Sequence, residues 1–535
     1  MTAPLNAFHA PHSLDAQNEF RRLARERASE QNQVRMRSVL SVHGALRTGL
    51  RTGTIGAEDR LDESVLVRNY SVSRNAVRAA LRLLVDEGVV SRAPRAGTVI
   101  LSGLADVRID NGVAWAEEEY AQHDLVTTES RWVASTPIIR RMLGTDSPQV
   151  FCTEMIDLLG DEVTLLHTRY CLSPGAGRPA ITDALERGFE ALFAETYDSP
   201  IGAIDCWVEA KAADERAAAQ LGVAPGTALM VKSRVLWSAD GVPREYSVSH
   251  YVASRVALTT VYDVGADVAP TPVPAAETAT IDPAPVDPAP VAASVGYRRS
   301  VLDVHSELRA ALRSGLFAVG EQLVEDDLER RFGASRNTIR TALAQLVDEG
   351  LICRNRRQGT VVMNTITDLT IDNGMGWGAA DEDRHRGFSI SAETIPTPPI
   401  VAERLGTSSP RIAVAHYLSY RDDRPFVVYI RYHEPCERPR PLTSEAPEGF
   451  DELFLASYGV PVGRIETSIH AVRADERAAR MLGVEPGTLL LLKERVLFGT
   501  DGRAREFSHS YYVAASVTLS TRSHRASPSQ VALAA

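Results

Sequence analysis

The 535-residue sequence contains few lysines and few cysteines. Its three lysines, Lys211, Lys232 and Lys493, stand beside 55 arginines. The five cysteines are scattered without a CxxC pair, which argues against a disulfide framework or a thiolate zinc site and is typical of a reducing cytosol. No apolar run reaches about 18 residues, so we predict no membrane-spanning helix and no membrane partner. The first residues lack the basic and apolar regions of a secretory signal, and we therefore predict a cytoplasmic protein.

The sequence also lacks the common catalytic motifs. It contains no Walker A glycine loop, no HExxH, no GxSxG and no His/Cys/Cys zinc spacing. His123 and His385 occupy equivalent positions near acidic residues, and a metal site there is the alternative to two solvated histidines. A single histidine in a charged stretch is more often solvated. We therefore predict no cofactor, no metal and no catalytic residue.

Positive charge is concentrated in two segments of an acidic chain. The whole sequence has a formal net charge of −11. Residues 35–102 hold 11 arginines against 6 acidic residues, and residues 297–364 hold 11 against 9. Their net charges are thus +5 and +2, which leaves −18 for the remainder. Two basic modules within an acidic chain indicate local contacts with an anionic partner such as nucleic acid.

An internal repeat organises the chain. The segment 71–90 matches 333–352 at an offset of 262, and 214–227 matches 475–488 at an offset of 261. A period this long indicates a duplicated two-domain unit rather than a solenoid. We predict tails at 1–34 and 524–535, basic domains at 35–103 and 297–365, and acidic domains at 104–262 and 366–523.

The segment between the copies, 263–296, is predicted to be a linker. Residues 265–295 contain seven prolines, no aromatic residue and no basic residue. Such a composition cannot bury enough apolar surface to order a core, and it favours a partly polyproline II conformation. The alternative is a proline-rich ligand for another domain, but no basic residue flanks the prolines.

Each basic domain has the pattern of three helices followed by a hairpin. The third helix is predicted to begin after the N-cap residue Ser73 or Ser335 and to stop at Gly88 or Gly350. Apolar residues at i, i+3, i+4, i+7 and i+8 give this helix one buried face. Two short apolar runs around a polar turn then predict a β-hairpin. This is the order of a winged helix-turn-helix.

The opposite face of the third helix and the hairpin carry the candidate DNA-binding residues. Arginine and asparagine near a helix N-terminus can reach base edges in the major groove, and arginines in a wing can contact phosphates or the minor groove. The alternative is that the helix arginines only form a solvated face. The candidates are Arg74, Asn75, Arg78, Arg82, Arg92 and Arg95 in the first copy, and Arg336, Asn337, Arg340, Arg354, Arg356 and Arg357 in the second.

These motifs resemble the DNA-binding head of the GntR superfamily of transcription factors. The resemblance rests on Ser-Arg-Asn followed by Arg and Ala-Leu at 73–81 and 335–343, and on Gly-Thr at 97–98 and 359–360. Many members begin the second helix with Pro-Ser-Glu-Arg, whose arginine touches DNA. Here residues 62–65 are Asp-Glu-Ser-Val and residues 324–327 are Val-Glu-Asp-Asp, so that contact is missing from both patterns.

The acidic domains are predicted to be α+β domains with an antiparallel sheet. Strand-like runs cover 163–170, 228–236, 426–432 and 489–498, and Asp240-Gly241 and Asp501-Gly502 predict hairpin turns. The motifs Leu-Gly-Val, Pro-Gly-Thr and Asp-Gly at 221–227 and 240–241, and again at 482–488 and 501–502, resemble the UTRA effector-binding domain, a chorismate-lyase-like fold. The order of head and effector domain is similar to that of the HutC-type branch. The resemblance implies an α+β multidomain protein with two winged helix-turn-helix and two UTRA domains in tandem.

The same resemblance implies two effector pockets. Arginine with glutamate and hydroxyl groups suits a small polar metabolite that carries an anionic group and hydroxyls or an amine. The alternative is that Arg169 pairs with Glu245, and Arg431 with Glu506, as structural bridges. The candidate effector-binding residues are Arg169, Tyr170, Glu245, Ser247 and Tyr251 in the first domain, and Arg431, Tyr432, Glu506, Ser508 and Tyr512 in the second.

The function expected from these patterns is that of a bacterial, nucleoid-associated transcriptional regulator, in the usual family logic a repressor. Its partners would be double-stranded operator DNA and a small polar effector. The tandem copies would form an intramolecular pseudo-dimer, with a homodimer as the alternative. Two other functions stay open: an architectural DNA-binding protein whose effector domains serve only for pairing, and a lyase-like enzyme with degenerate heads.

Overall fold

The computed structural model describes residues 30–56, 60–93, 97–101, 104–110, 123–160, 162–172, 189–264, 299–355, 359–371, 385–421, 424–435 and 450–524. The predicted linker from residue 265 onward and most of both predicted tails lie outside these ranges. The described chain forms two small heads of helices and short strands, and two large sheets. This confirms the predicted α+β architecture of two heads and two sheet domains in tandem.

Head 1 consists of three helices and a two-stranded hairpin. Its elements are α1 (Glu30–Thr52), α2 (Glu63–Tyr70), α3 (Arg74–Asp86), β1 (Val90–Ala93) and β2 (Gly97–Ile100). The Ser73 side chain accepts a hydrogen bond from the backbone N–H of Ala76 at 3.2 Å, as expected of an N-cap. After α3 the chain turns at Gly88, whose φ of +75° is a conformation that favours glycine. Helix α1 begins at Glu30, five residues before the predicted domain boundary.

Head 2 repeats this arrangement with one additional short strand. Its elements are α7 (Val301–Arg313), β11 (Gln322–Leu323), α8 (Glu325–Phe332), α9 (Arg336–Asp348), β12 (Ile352–Asn355) and β13 (Gly359–Val362). Ser335 caps α9 as Ser73 caps α3. In both heads the predicted apolar face of the third helix is buried against the first helix. The predicted winged helix-turn-helix is therefore present twice.

Sheet A contains six strands of the first copy in the order β4-β5-β6-β9-β8-β7. The strands are β4 (His123–Ala134), β5 (Gln149–Leu159), β6 (Glu162–Cys171), β7 (Ile201–Ala212), β8 (Ala228–Ser238) and β9 (Pro243–Val252). Three helices accompany them: α4 (Pro137–Leu143), α5 (Phe189–Tyr197) and α6 (Glu215–Leu221).

Sheet B contains the equivalent strands of the second copy in the order β15-β16-β17-β20-β19-β18. The strands are β15 (His385–Pro396), β16 (Arg411–Arg421), β17 (Arg424–His433), β18 (Val462–Arg473), β19 (Leu489–Gly499) and β20 (Ala504–Val513). The helices are α10 (Pro399–Leu405), α11 (Phe450–Tyr458) and α12 (Glu476–Leu482).

Each sheet is completed by two strands of the other copy. Strands β3 (Ala105–Arg108) and β10 (Val256–Asp263) of the first copy extend sheet B, where Leu258 pairs with Ile469. Strands β14 (Thr367–Thr370) and β21 (Val517–His524) of the second copy extend sheet A, where Leu519 pairs with Val208. The two ends of the predicted domain 104–262 thus belong to the sheet of the other copy.

The two sheets pack on each other through their inner faces. One core cluster joins Val208 and Met230 of sheet A to Ile469 and Leu491 of sheet B. The outer faces carry the heads in a crossed arrangement. Leu40 of head 1 packs in the outer core of sheet B, and Ala310 of head 2 packs in the outer core of sheet A. Each head therefore rests on the sheet of the other copy.

Candidate DNA-binding faces and effector pockets

The predicted DNA-binding side chains of head 1 share one exposed surface. Arg74, Asn75, Arg78 and Arg82 lie on the exposed side of α3, and Arg92 follows on the wing. Glu63 at the start of α2 holds two of these cations, because Arg78 Nε donates to its Oε2 at 2.8 Å and Arg92 Nη2 lies 3.9 Å from its Oε1. A phosphate backbone would compete with a single carboxylate for these arginines. Arg95 lies outside the described residues.

Head 2 presents the same side chains next to more negative charge. Arg336, Asn337 and Arg340 are exposed on α9, and Arg354 follows on the wing. Arg336 lies within 3.3–3.8 Å of three carboxylates, and Arg340 and Arg354 lie 3.9 and 3.6 Å from Glu325 Oε1. The three carboxylates, all on α8, are those of Glu325, Asp326 and Glu329. The face of head 2 is thus more nearly neutral than that of head 1. Arg356 and Arg357 lie outside the described residues.

Four of the five predicted pocket residues of the first copy, all except Tyr170, lie on the inner face of sheet A. Arg169 on β6 pairs in register with Ser247 on β9, and Ser247 pairs with Arg234 on β8. Glu245 lies one row away, with its Oε1 3.8 Å from Arg169 Nη1. The Tyr197 hydroxyl donates to the same Oε1 at 2.9 Å. The ion pair of the structural-bridge alternative is therefore formed, within a larger cluster of buried polar groups.

Sheet B repeats this arrangement. Arg431 pairs with Ser508, which pairs with Arg495. Arg431 Nη1 lies 3.5 Å from Glu506 Oε1, and the Tyr458 hydroxyl donates to that oxygen at 3.0 Å. Tyr251 and Tyr512 lie two rows further along the inner faces, within the apolar core between the sheets.

Two predicted pocket residues lie on the other side of their sheets. Successive residues of a strand point to opposite faces, so Tyr170 points away from the pocket that contains Arg169. It stacks on Tyr246 at 6.0 Å in the outer core beneath head 2. Tyr432 likewise stacks on Phe507 at 5.8 Å beneath head 1. These two tyrosines therefore pack under the heads and do not line the pockets.

Two lysines on the pocket faces were missed by the sequence reasoning. Lys232 stands two residues from Arg234 on the same face of β8, is 1% exposed, and has no hydrogen-bond partner at Nζ. Its Nζ lies 5.6 Å above the Tyr251 ring. Lys493 is its equivalent on β19, 2% exposed and 5.6 Å from the Tyr512 ring. The sequence did contain a signal for them. Two of its three lysines, Lys232 and Lys493, occupy equivalent positions of the same predicted strand in the two copies.

The pocket cations act on one another electrostatically. Burial, followed by the charge of Arg234, lowers the pKa of Lys232 to about 7. Burial together with Arg234, Arg169 and Lys232 holds the pKa of His167 well below its usual value. Four basic groups thus crowd one buried region of sheet A, where the described carboxylates that act on them include those of Glu245 and Asp110. A buried ammonium without a polar partner is costly, and an anionic ligand would offset that cost.

The pockets differ in the side chains around the shared cations. Met155 and His167 pair in register in sheet A, where sheet B has Tyr417 and Tyr429. The two tyrosine rings lie 6.2 Å apart. Pocket B is therefore lined by aromatic rings where pocket A has a thioether and an imidazole.

Neither a metal cluster nor a membrane span emerges from the described residues. No group of three or more histidine, cysteine, aspartate or glutamate side chains converges within those ranges. The side chains of His123 and His385, for which a metal was the alternative, lie outside them. No helix in the described part of the chain is long and apolar enough to cross a bilayer.

The fold defines a winged helix-turn-helix protein whose heads rest on sheet domains with buried polar side chains on their inner faces. The chain belongs to the gntR family of bacterial regulatory proteins that carry a UTRA domain. The description "Bacterial regulatory proteins, gntR family" matches residues 39–100 and 301–362, and "UTRA domain" matches residues 122–257 and 384–518. The family and the relatives of this chain are transcriptional regulators.

The relatives correspond in length to one copy of the repeat. The chain is 26% identical over 225 residues to the uncharacterized HTH-type transcriptional regulator RB1450 of Rhizobium meliloti, covering 40% of this chain and 91% of that protein. It is 26% identical over 200 residues to the HTH-type transcriptional repressor NagR of Bacillus subtilis, covering 35% and 79%. A similar solved structure is PhnF from Mycobacterium smegmatis, with 21% identity, a TM-score of 0.28, and coverage of 40% of this chain and 96% of that one.

Proposed function

We propose that the chain is a cytoplasmic, nucleoid-associated repressor, not an enzyme, whose hold on operator DNA is released by a small anionic metabolite bound in the two pockets. The exposed faces of α3 and α9 would bind two half-sites of an operator. The relative NagR is itself named as a repressor, which supports this sign of regulation.

The observation that carries the effector proposal is the buried Lys232. Its Nζ has no polar partner, and Arg169 and Arg234 stand on the same face of the sheet. An architectural protein that uses these domains only for pairing has no need of a buried ammonium without a counter-ion. A phosphate or carboxylate group would satisfy the cations together, while Glu245 and Ser247 would bind hydroxyl or amino groups beside it.

Replacing both pocket lysines with methionine, Lys232→Met with Lys493→Met, should stabilise the free protein and abolish its response to anions. Methionine fills a similar volume without a buried charge, so we expect the free energy of unfolding to rise by about 1–3 kcal/mol per lysine. Wild-type protein should be stabilised by millimolar inorganic phosphate, whereas the variant should not. Thermal unfolding with and without phosphate measures both effects.

The exposed Arg480→Met is the matched control, because it removes one positive charge outside the pockets and should leave the phosphate effect unchanged. Coupling to DNA is measured with an operator fragment selected from random DNA by the wild-type chain. We expect the effector to weaken operator binding about 5–150-fold. A double lysine variant that keeps the wild-type phosphate response would contradict the placement of the pockets.

One chain should occupy two half-sites. Each sheet is completed by strands of the other copy, so the two heads already belong to one assembly. Paired winged-helix heads commonly bind half-sites about 34 Å apart. We expect mass photometry of the free and DNA-bound protein to give one chain per pair of half-sites, with footprinting to show both contacts. If two chains bind one pair of half-sites and one head of each chain does not contact DNA, the homodimer would be supported instead.

A further inference from the structure

Helix α1 of head 1 contacts buried polar groups on the outer face of sheet B. The Thr48 hydroxyl donates to Glu494 Oε2 at 2.5 Å, and Arg51 Nη2 lies 2.9 Å from Glu494 Oε1. The Tyr511 hydroxyl donates to the carbonyl oxygen of Leu40 at 2.9 Å. Glu494 is 2% exposed, and α1 supplies its two shortest contacts. Head 1 therefore supplies the two shortest contacts of a buried carboxylate of sheet B, to which Arg404 of the second copy adds a longer one at 3.5 Å.

Helix α7 of head 2 satisfies different groups on sheet A. The Lys211 ammonium donates to the carbonyl oxygen of Leu302 at 3.2 Å and to the Ser306 hydroxyl. Arg313 Nη1 lies 3.4 Å from Glu209 Oε1. Lys211 and Glu209 are both buried, and head 2 thus supplies partners to a buried ammonium and to a buried carboxylate that also accepts from Thr518 of sheet A.

The two heads differ at the residues that make these contacts. Gly44 of head 1 corresponds to Ser306 of head 2, and Thr48 corresponds to Ala310. The sheets differ at the facing positions. The corresponding residues, those of sheet A given first, are Glu209 and His470, Lys211 and Val472, Ser233 and Glu494, Val248 and His509, and His250 and Tyr511.

Head 2 does not fit on sheet B. A Cβ atom at the position of Gly44 would lie 2.8 Å from Tyr511 Oη and 3.1 Å from the ring of His509. Ser306 would bring that atom and a hydroxyl into the same space. Ala310, at the position of Thr48, would leave Glu494 without a hydroxyl donor. The mismatch combines a steric clash with the loss of the shortest hydrogen bond to a buried carboxylate.

Head 1 does not fit on sheet A either. Gly44, at the position of Ser306, offers no hydroxyl to the buried Lys211. Thr48, whose hydroxyl also donates to the carbonyl oxygen of Gly44 in its own helix, would exchange its hydrogen bond to Glu494 for the apolar cluster of Val231, Val235 and Val248.

We infer that each head docks specifically on the sheet of the opposite copy, so that the chain closes in one crossed arrangement. Gly44 and Thr48 recognise Tyr511 and Glu494 in one interface. Ser306 and Ala310 recognise Lys211 and Val248 in the other. The two docking surfaces are thus separate recognition pairs within one chain.

The crossed docking also determines which pocket each head senses, a consequence that rests on the proposed function. Lys493 and Arg495 point from β19 into pocket B, while Glu494 between them points to the opposite face and holds α1. A ligand that moves β19 would therefore act on head 1. In sheet A, Ser247 and Ser249 face the pocket, while Val248 between them lies in the same outer core cluster as Ala310 of head 2.

The test of docking specificity is Gly44→Ser in the full-length chain, compared with Ser306→Gly. We expect Gly44→Ser to release head 1, with at least tenfold faster backbone hydrogen exchange across residues 39–52 and unchanged exchange within residues 74–86. Ser306→Gly should accelerate exchange in 301–313 and leave head 1 unaffected. Wild-type protection of 39–52 in Gly44→Ser would overturn the inference.

Two further variants keep the test independent of general misfolding. Tyr511→Phe removes the atom nearest to the added side chain, so Gly44→Ser with Tyr511→Phe should recover part of the protection. Glu494→Gln weakens the same interface without adding volume, and it should accelerate exchange in 39–52 but not in 301–313. Equal effects on both heads would contradict separate recognition pairs.

The sensing consequence is tested with inorganic phosphate as the probe. Lys493→Met should remove the phosphate-dependent change in exchange of head 1 and retain that of head 2, and Lys232→Met should do the reverse. The opposite pattern would show that each head senses the pocket of its own copy. If wild-type protein shows no phosphate effect on either head, the proposed anion site fails, while the Gly44→Ser result still decides the docking.

Discussion

Replacing Arg78 and Arg340 together with alanine is expected to weaken operator binding by about 2–6 kcal/mol, since a good base contact contributes about 1–3 kcal/mol. Both side chains are more than half exposed on the recognition helices, with side-chain exposures of 56% and 60%. Neither packs in the core of its head, so the variant should stay folded. Fluorescence anisotropy with a selected operator fragment at several salt concentrations measures the loss.

The two single variants should differ in how much operator affinity they lose. Arg78 is paired with one carboxylate, that of Glu63, which it must leave to contact DNA. Arg340 lies on a face that carries three carboxylates. We therefore expect Arg78→Ala to cost more affinity than Arg340→Ala. Arg480→Ala, which removes an exposed arginine from the effector domain, is the matched control. Wild-type operator affinity in a folded double variant would contradict the assignment of the DNA-binding faces.

Stability is expected to fall steeply as the pH is lowered from about 6.5 toward 4. Burial lowers the pKa of His509 to about 4, so the folded chain binds its proton only at much lower pH than the unfolded chain. Because the unfolded state binds more protons in this window, acidification favours unfolding. At about 1.36 kcal/mol per pH unit, His509 alone accounts for roughly 3 kcal/mol. Burial also lowers the pKa of four other described histidines: His167, His250, His470 and His524.

A second titratable group, Glu349, extends the loss of stability to lower pH. Although burial opposes it, Arg309 and His305 lower the pKa of Glu349 to about 2, so its contribution is present above about 4.5 and is lost between 4.5 and 2. Urea unfolding at pH 7, 6 and 5 measures the histidine effect. His509→Val introduces the residue found at the equivalent position of sheet A. This variant should reduce the dependence of the free energy of unfolding on pH. A free energy of unfolding that is constant from pH 7 to 5 would contradict the buried neutral histidines.

The heads could be predicted from the sequence because their signals are local. Ser73 and Gly88 mark the ends of the recognition helix, and the apolar spacing between them identifies its buried face. The wing follows from two short apolar runs around a turn. Each of these features depends on residues fewer than about 30 positions apart, so neighbouring residues contain the information.

The pockets were predicted only in part. Arg169, Glu245 and Ser247 do share one face, but Tyr170 cannot, because adjacent residues of a strand point in opposite directions. That period of two was available in the sequence. Lys232 and Arg234 stand on the same face by the same rule, and their pairing across β9 with Arg169 needed the strand order of the sheet.

The strand exchange could not be predicted by physical reasoning on one sequence. Leu258 pairs with Ile469 and Leu519 pairs with Val208. At the repeat offset, Leu258 corresponds to Leu519 and Val208 to Ile469. An unexchanged sheet would therefore bring the same kinds of apolar residues together, and periodicity cannot separate the two topologies.

The fusion of two copies has an evolutionary consequence, seen in the contact of Gly44 with Tyr511. In a dimer of identical chains every substitution appears twice, and both symmetric contacts must tolerate it at once. In this chain a substitution at Gly44 changes one contact only. The contact of Ser306 with Lys211 can therefore change independently during evolution. Duplication within one chain thus releases the two halves from the requirement of symmetry, so an operator bound by both heads would not need to be a palindrome.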